Sequence, residues 1–167
     1  PGDTMRDMTL SQSALDELWD FSDPALSEER FRAAAEAETD AAHRAEYETQ
    51  VARALGLQER FAEAGDALDA IHSEDEAVLA RVALERGRLL NSSGDPQAAT
   101  PLFEEAAETA ASARLIFLQI DALHMLAIAD GPNSDRWTRV ALALLGRVDD
   151  PRTLRWSVGL HNNAGWA

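Results

Sequence analysis

The sequence of 167 residues contains no cysteine and no lysine. Without cysteine the chain has no disulfide, no thiolate metal site and no cysteine nucleophile. Without lysine it has no Schiff base, no phosphate-loop lysine and no anchor for pyridoxal phosphate. All 15 residues counted as lysine or arginine are therefore arginines.

Long apolar runs are also missing. No stretch approaches the ~20 apolar residues that span a bilayer. The first ten residues lack the apolar segment of a secretory signal peptide. Because we find no targeting signal, we expect a cytoplasmic protein.

The charge is strongly negative, with 30 acidic against 15 basic side chains and a net charge of −15. Nucleic acids and anionic membranes repel a chain of this kind, so we expect neither as a partner. An apolar content of 46% argues against disorder, and scarce strand-forming residues beside abundant alanine favour an all-α fold.

A helix–turn–helix segment recurs along the chain with a period of 35 residues. Residues 60–64 (Arg-Phe-Ala-Glu-Ala) and 95–99 (Asp-Pro-Gln-Ala-Ala) are its clearest anchors. Ala64 and Ala99 are small residues early in a second helix, and apolar residues follow them at helical spacing. A period of about 20–50 residues is typical of stacked repeats, in which neighbouring units bury each other's apolar faces.

Cap residues followed by proline predict where helices begin, as at Asp23-Pro24, Asp95-Pro96 and Asp150-Pro151. We predict helix pairs at about 10–38, 40–72, 76–112 and 114–147, and a last first helix at 150–167. No Pro/Gly/Ser-rich linker separates them, so we predict a single domain over 10–167 and a poorly ordered stretch at 1–9. Because the chain begins without Met and stops within a predicted helix, we expect it to be part of a longer array.

These residues resemble the tetratricopeptide repeat of bacterial proteins. One copy is matched by Val51, Ala52, Glu59, Phe61, Ala64 and Leu68, although its turn lacks glycine. A second copy is matched by Gly87, Leu90, Gly94, Pro96, Ala99, Phe103 and Ala106. The resemblance implies a right-handed superhelical α-solenoid of antiparallel helix pairs. An unrelated alanine-rich helical bundle is the alternative fold.

In the family that the chain resembles, the first helix of each pair lines a concave groove that binds proteins or peptides. The resemblance therefore implies a non-catalytic scaffold without cofactor or metal. Its predicted binding residues are Arg53, Arg81, Arg88, Asn91, His124, Asn162 and Asn163. Other positions predicted to point outward on these helices are Glu46, Thr49, Leu84, Asp121 and Ile128.

The arginines and Asn163 suggest what the groove binds. Arg53, Arg81 and Arg88 would suit an acidic or C-terminal carboxylate segment, because a guanidinium pairs with a carboxylate through two hydrogen bonds. The amide of Asn163 can both donate to and accept from a peptide backbone. The negative net charge argues against this, because it would attract a basic partner at long range. Alternatively, each arginine is an ordinary surface charge paired with a glutamate one turn away on the same helix, as Arg81 with Glu85.

Two further functions stay open. One is a regulatory module that senses a short peptide. The other is a metal enzyme in a helical bundle, built on the pairs Asp40/His43 and Asp121/His124, whose spacing places both side chains on one helix face. Finally, Trp166 in an unfinished last unit predicts self-association through an uncapped end.

Overall fold

A computed structural model of the protein describes residues 10–165, and the side chains of residues 10–161. All regular secondary structure in this part of the chain is helical. The α-helices are α1 (Gln12–Leu18), α2 (Pro24–Ala37), α3 (Ala41–Leu57), α4 (Phe61–Asp69), α5 (Glu76–Ser92), α6 (Pro96–Ser112), α7 (Ile116–Ala129), α8 (Ser134–Leu145), α9 (Pro151–Leu154) and α10 (Trp156–Gly165). A single turn of 3-10 helix, Gly131–Asn133, precedes α8.

Helices that are consecutive in sequence pack against each other, from α2 with α3 through to α7 with α8. In addition α5 contacts both α3 and α7, so these three helices lie side by side. Each of the four predicted ranges from 10 to 147 holds two α-helices. The range 150–167, predicted as one helix, instead holds α9 and α10, because the backbone tightens at Arg155 into i to i−3 hydrogen bonds.

The predicted combination of an acidic cap with proline is confirmed at the starts of α2, α6 and α9. Asp23, Asp95 and Asp150 each accept a hydrogen bond from a backbone N–H in the first turn. A proline follows each aspartate at the first helical position, where its missing N–H has no helical partner to lose. Local sequence alone therefore determines where these helices begin.

Two apolar clusters form the core. The larger one joins α5, α6, α7, α8 and α10, and its largest buried side chains include Leu84, Phe103, Ile120, Leu126 and Leu160. The smaller one joins the first four helices through Leu15, Phe31, Val51, Leu55 and Ala64. Ala64 and Ala99, the repeat anchors, are both fully buried.

The same turn follows α3, α5 and α6. In each, the backbone N–H of one residue donates to the carbonyl five residues earlier: Arg60 to Leu55, Asp95 to Leu90, and Leu115 to Ala110. The residue before each donor has positive φ, namely Glu59 (60°), Gly94 (96°) and Arg114 (59°). This is the Schellman arrangement, which glycine adopts without strain and other residues adopt at a cost.

We expect Glu59→Gly to stabilise the protein by about 0.5–1 kcal/mol, because glycine removes the strain of a left-handed glutamate. Urea denaturation followed by circular dichroism measures the change. The exposed Glu29 in the middle of α2 is the control, and Glu29→Gly should destabilise by about 1 kcal/mol. Equal destabilisation by both substitutions would contradict this account of the turn.

Close packing of α5 on α6 depends on Gly87. A Cβ added to Gly87 would lie 2.5 Å from Cε1 of Phe103, a ring that is fully buried. The ring has no free space to move into, so any larger residue must push the two helices apart. Gly87 is one of the residues that match the second repeat copy in the sequence.

Gly87→Ala should therefore lower the free energy of unfolding by about 1–3 kcal/mol, although alanine favours helix. Gly65→Ala in α4 is the matched control, since nothing lies within 4 Å of a Cβ at that position. The control should gain about 0.5–1 kcal/mol. If the two variants shift the urea midpoint in the same direction, the contact with Phe103 does not limit this packing.

Candidate functional site

Polar and charged side chains line the contact between α3, α5 and α7. On each of α3 and α5 they recur four and then three residues apart, so they share one helix face. We call the following set the charged seam: Glu46, Gln50, Arg53, Arg81, Glu85, Arg88 and Asp121. Glu46 and Arg81 are 35 residues apart, and the same offset relates Gln50 to Glu85 and Arg53 to Arg88.

Arg81 and Glu46 form a buried ion pair between α5 and α3. The Nε of Arg81 donates to Oε2 of Glu46 at 2.9 Å, and both side chains are almost inaccessible to solvent. The second carboxylate oxygen, Oε1, accepts the backbone N–H of Leu10 at 2.8 Å. Arg81 also donates to the side-chain oxygen of Gln12 at 3.2 Å. Both buried charges are therefore satisfied, as burial in a helix interface requires.

Arg88 joins α5 to α7. Its guanidinium donates to Oε1 of Glu85 on its own helix and to Oδ1 of Asp121 on α7. Burial of the Asp121 carboxyl opposes ionisation, but the charges of Arg88 and Arg53 outweigh it and hold the pKa of Asp121 below its usual value. Asp121 is thus a carboxylate at neutral pH, and Arg88 is shared between two acids.

Two side chains of the charged seam have polar atoms that make no hydrogen bond to a described residue. Oε2 of Glu85 is buried without a hydrogen-bond partner. The guanidinium of Arg53 lies 5.2 Å from the ring centre of Trp19 and 5.4 Å from that of Phe21, and its side chain makes no hydrogen bond to a described residue. Burial, reinforced by the charge of Arg88, lowers the pKa of Arg53.

The segment that precedes α2 lies over the charged seam. We call residues 10–22 the N-terminal segment. Besides the contacts of Leu10 and Gln12, the indole Nε1 of Trp19 donates to the side-chain oxygen of Gln50 at 3.1 Å. Arg53 lies over Trp19 and Phe21 as described. Backbone, aromatic and amide groups of the N-terminal segment are therefore all bound by the charged seam.

The structure does not place all predicted binding residues on an open surface. Arg81 is buried. Four others are only partly buried: Arg53, Arg88, Asn91 and His124. The predictions for Asn162, Asn163 and Trp166 lie outside the described side chains. His124 lies 5.0 Å from the ring of Trp156. Burial of His124 lowers its pKa.

Five of the positions predicted to point outward on the first helices are buried, so that prediction is wrong for Glu46, Thr49, Arg81, Leu84 and Asp121. The physical reason is that α3, α5 and α7 pack side by side and the N-terminal segment covers them. One signal in the sequence pointed to the correct pairing: Glu46 and Arg81 are opposite charges separated by one repeat period. The arginine is therefore paired across the repeat and not with Glu85.

The proposed metal pairs are occupied by other interactions. Asp40 caps α3 by accepting hydrogen bonds from the backbone N–H groups of Ala42 and His43. Asp121 is bound by Arg88. Among the residues that the structure describes, no three His, Asp or Glu side chains cluster as metal ligands.

No protein-family model matches the chain, and neither a curated protein nor a solved structure matches it. No helix in the described range is long and apolar enough to cross a membrane. The geometry of the charged seam is therefore the feature that best indicates a function.

Arg88→Ala should destabilise the protein by about 3–5 kcal/mol at neutral pH, because it leaves Glu85 and Asp121 buried without their cation. The control on the same helix is Arg86→Ala. Arg86 contacts Asp69 at 2.7 Å with its side chain 39% exposed, so its loss should cost less than about 1 kcal/mol. Urea denaturation of both variants and wild type measures the difference.

The effect of Arg88→Ala should shrink as the pH falls. In wild type the pKa of Asp121 is lowered, so its pairing stabilises the fold above the unfolded-state pKa and is lost as pH falls through the folded value. In the variant, burial without the Arg88 charge raises that pKa, and protonation relieves the penalty. A stability difference that stays constant from neutral to acidic pH would show that Arg88 does not act through Asp121.

Proposed function

We propose that the protein is a non-catalytic scaffold that binds a protein or peptide segment on the face formed by α3, α5 and α7. We further propose that its helix pairs form a right-handed solenoid related to the tetratricopeptide repeat. The repeated Schellman turns after α3 and α5 and the buried small residues Ala64 and Ala99 support this second part.

The observation that carries the proposal is that this face already holds a peptide segment of the same chain. The carboxylate of Glu46 accepts a backbone N–H, the amide of Gln50 accepts an indole N–H, and Arg53 stacks on two aromatic rings. These interactions recognise main chain and side chain together, as a peptide-binding surface does.

The N-terminal segment also indicates the chemistry of a partner. Residues 16–21 read Asp-Glu-Leu-Trp-Asp-Phe, an acidic stretch with two aromatic residues. We propose that an external partner has the same aromatic and acidic character. Its aromatic residues would make the contacts of Trp19 and Phe21 with the charged seam, whereas its acidic groups would bind arginines other than Arg81 and Arg88, which are already paired. Local arginines, and not the overall negative charge, would then determine the bound pose.

A regulatory, peptide-sensing role is the second candidate. It is favoured by the position of the N-terminal segment, because a partner that takes over the contacts with Gln50 and Arg53 must move Trp19 and Phe21. Binding would then change the conformation of the chain as well as occupy its surface.

A labelled synthetic peptide with the sequence of residues 10–22 tests the proposal by fluorescence polarisation against the full chain. In wild type the attached segment competes with the peptide. Phe21 is 61% exposed and stacks on Trp19, so Phe21→Ala weakens the attached segment and leaves the core intact. Loss of about 0.5–1.5 kcal/mol of stacking predicts roughly 3–10-fold tighter peptide binding to this variant.

The matched control is Leu79→Ala, which removes an exposed apolar side chain of α5 and should leave the affinity unchanged. A peptide of the same composition in scrambled order should bind weakly to all three proteins. Equal binding of the scrambled and native peptides would refute recognition by this face.

A further inference from the structure

A cleft of about 430 Å³ lies between the N-terminal segment and the helices α9 and α10. Its walls include Trp19, Phe21, Phe117, Arg152, Arg155 and Trp156. The N-terminal segment thus covers the charged seam but leaves open space beside it. The volume falls within the range of about 300–1,000 Å³ that is usual for ligand pockets, so the cleft can take a side chain and its neighbouring groups.

Aromatic rings form both sides of the cleft. Trp19 and Phe21 stack with ring centres 4.7 Å apart and planes only 3° from parallel. On the other side Phe117 and Trp156 lie 6.0 Å apart with planes inclined at 55°. Because Phe21 remains 61% exposed, apolar ring surface faces solvent here. Rings of this kind pack favourably against another aromatic ring.

The charges of the cleft favour an anion. The side chains of Arg152 and Arg155 make no hydrogen bond to a described residue, although the charge of Arg152 acts on Asp150 at the start of α9. The lining itself holds these two arginines and one acid, Asp16, and Asp150 lies next to it at the start of α9. A guanidinium can bind a carboxylate through two parallel hydrogen bonds, and both arginines have their hydrogen-bond donors available for one.

We infer that this cleft binds an aromatic residue that has a carboxylate next to it, in a peptide partner. The ring would pack between the two aromatic pairs, and Arg152 and Arg155 would bind the carboxylate. The carboxylate can belong to a neighbouring acidic side chain or to the C-terminus of the partner, since both present the same group. This inference rests on the proposed peptide-binding function and names the chemistry of the part of the partner that the cleft takes.

Three short peptides serve as probes: acetyl-Asp-Phe-amide, acetyl-Ala-Phe with a free C-terminus, and the uncharged acetyl-Asn-Phe-amide. None contains tryptophan, so the fluorescence of Trp19 and Trp156 in the full chain reports binding. We expect at least one of the two acidic probes to change the fluorescence and the uncharged probe to bind about tenfold more weakly or not at all. The stronger of the two acidic probes identifies the source of the carboxylate.

The variant Arg152→Ala/Arg155→Ala should weaken binding of the acidic probes about tenfold and leave the uncharged probe unaffected. Arg139→Ala/Arg147→Ala removes two exposed arginines outside the cleft and should bind all probes as wild type does. Circular dichroism establishes that both variants are folded. Equal affinities of the two double variants, or binding of the uncharged probe as tight as that of the acidic ones, would overturn the inference.

Two comparisons separate this inference from the function on which it rests. If the peptide of residues 10–22 binds but no short probe does, the scaffold function stands and the cleft inference is wrong. If the short probes bind and the longer peptide does not, the cleft is a binding site but α3, α5 and α7 do not form a peptide-binding face. Phenylacetate is a further control: binding as tight as that of the acidic peptides would make this a small-molecule site and overturn the peptide inference.

Discussion

The buried ion pairs between α3, α5 and α7 constrain the rest of the structure. Arg81 binds Glu46 on one neighbour, and Arg88 binds Asp121 on the other. A buried guanidinium without its carboxylate costs several kcal/mol, so a shift of one helix along another would break these pairs at high cost. The apolar contacts between the same helices are less directional and would tolerate such a shift more easily. The position of the N-terminal segment follows, because it binds Glu46 and Gln50 in this arrangement.

The same arrangement explains how a strongly acidic chain can offer a place for an acidic partner. Most of its acidic side chains are exposed. In contrast, Arg81 is buried, Arg53 and Arg88 are partly buried, and Arg152 and Arg155 line the cleft beside the N-terminal segment. Long-range repulsion slows the encounter of two acidic molecules, and screening by salt reduces that repulsion. Short-range pairing with Arg152 and Arg155, together with ring packing on Phe117 and Trp156, would then hold the partner. In the proposed complex, affinity and association rate would thus depend on different residues.

Much of the helical architecture could be predicted from the sequence, because it depends on contacts between residues that are near in the chain. The starts of α2, α6 and α9 follow from an aspartate and the proline after it. The close approach at Gly87 was visible as a missing side chain at a repeated position. The turn at Glu59 could not be predicted in this way, because it lacks the glycine that marks such a turn. It adopts the same Schellman geometry with a left-handed glutamate. The surrounding helices impose this geometry at the cost of a strained residue.

The candidate site was predicted less well, for a definite physical reason. The sequence by itself determined helix type, the starts of several helices and the 35-residue period, all of which depend on local backbone preferences and side-chain size. It also placed Arg53, Arg81 and Arg88 on the first helices of their pairs. Only the tertiary structure decided which of these charges face solvent, because that depends on pairs 33–35 residues apart and on a segment that returns across the helices. Burial is a property of the packed assembly of helices, so the same arginine that a single helix would expose becomes part of the interior.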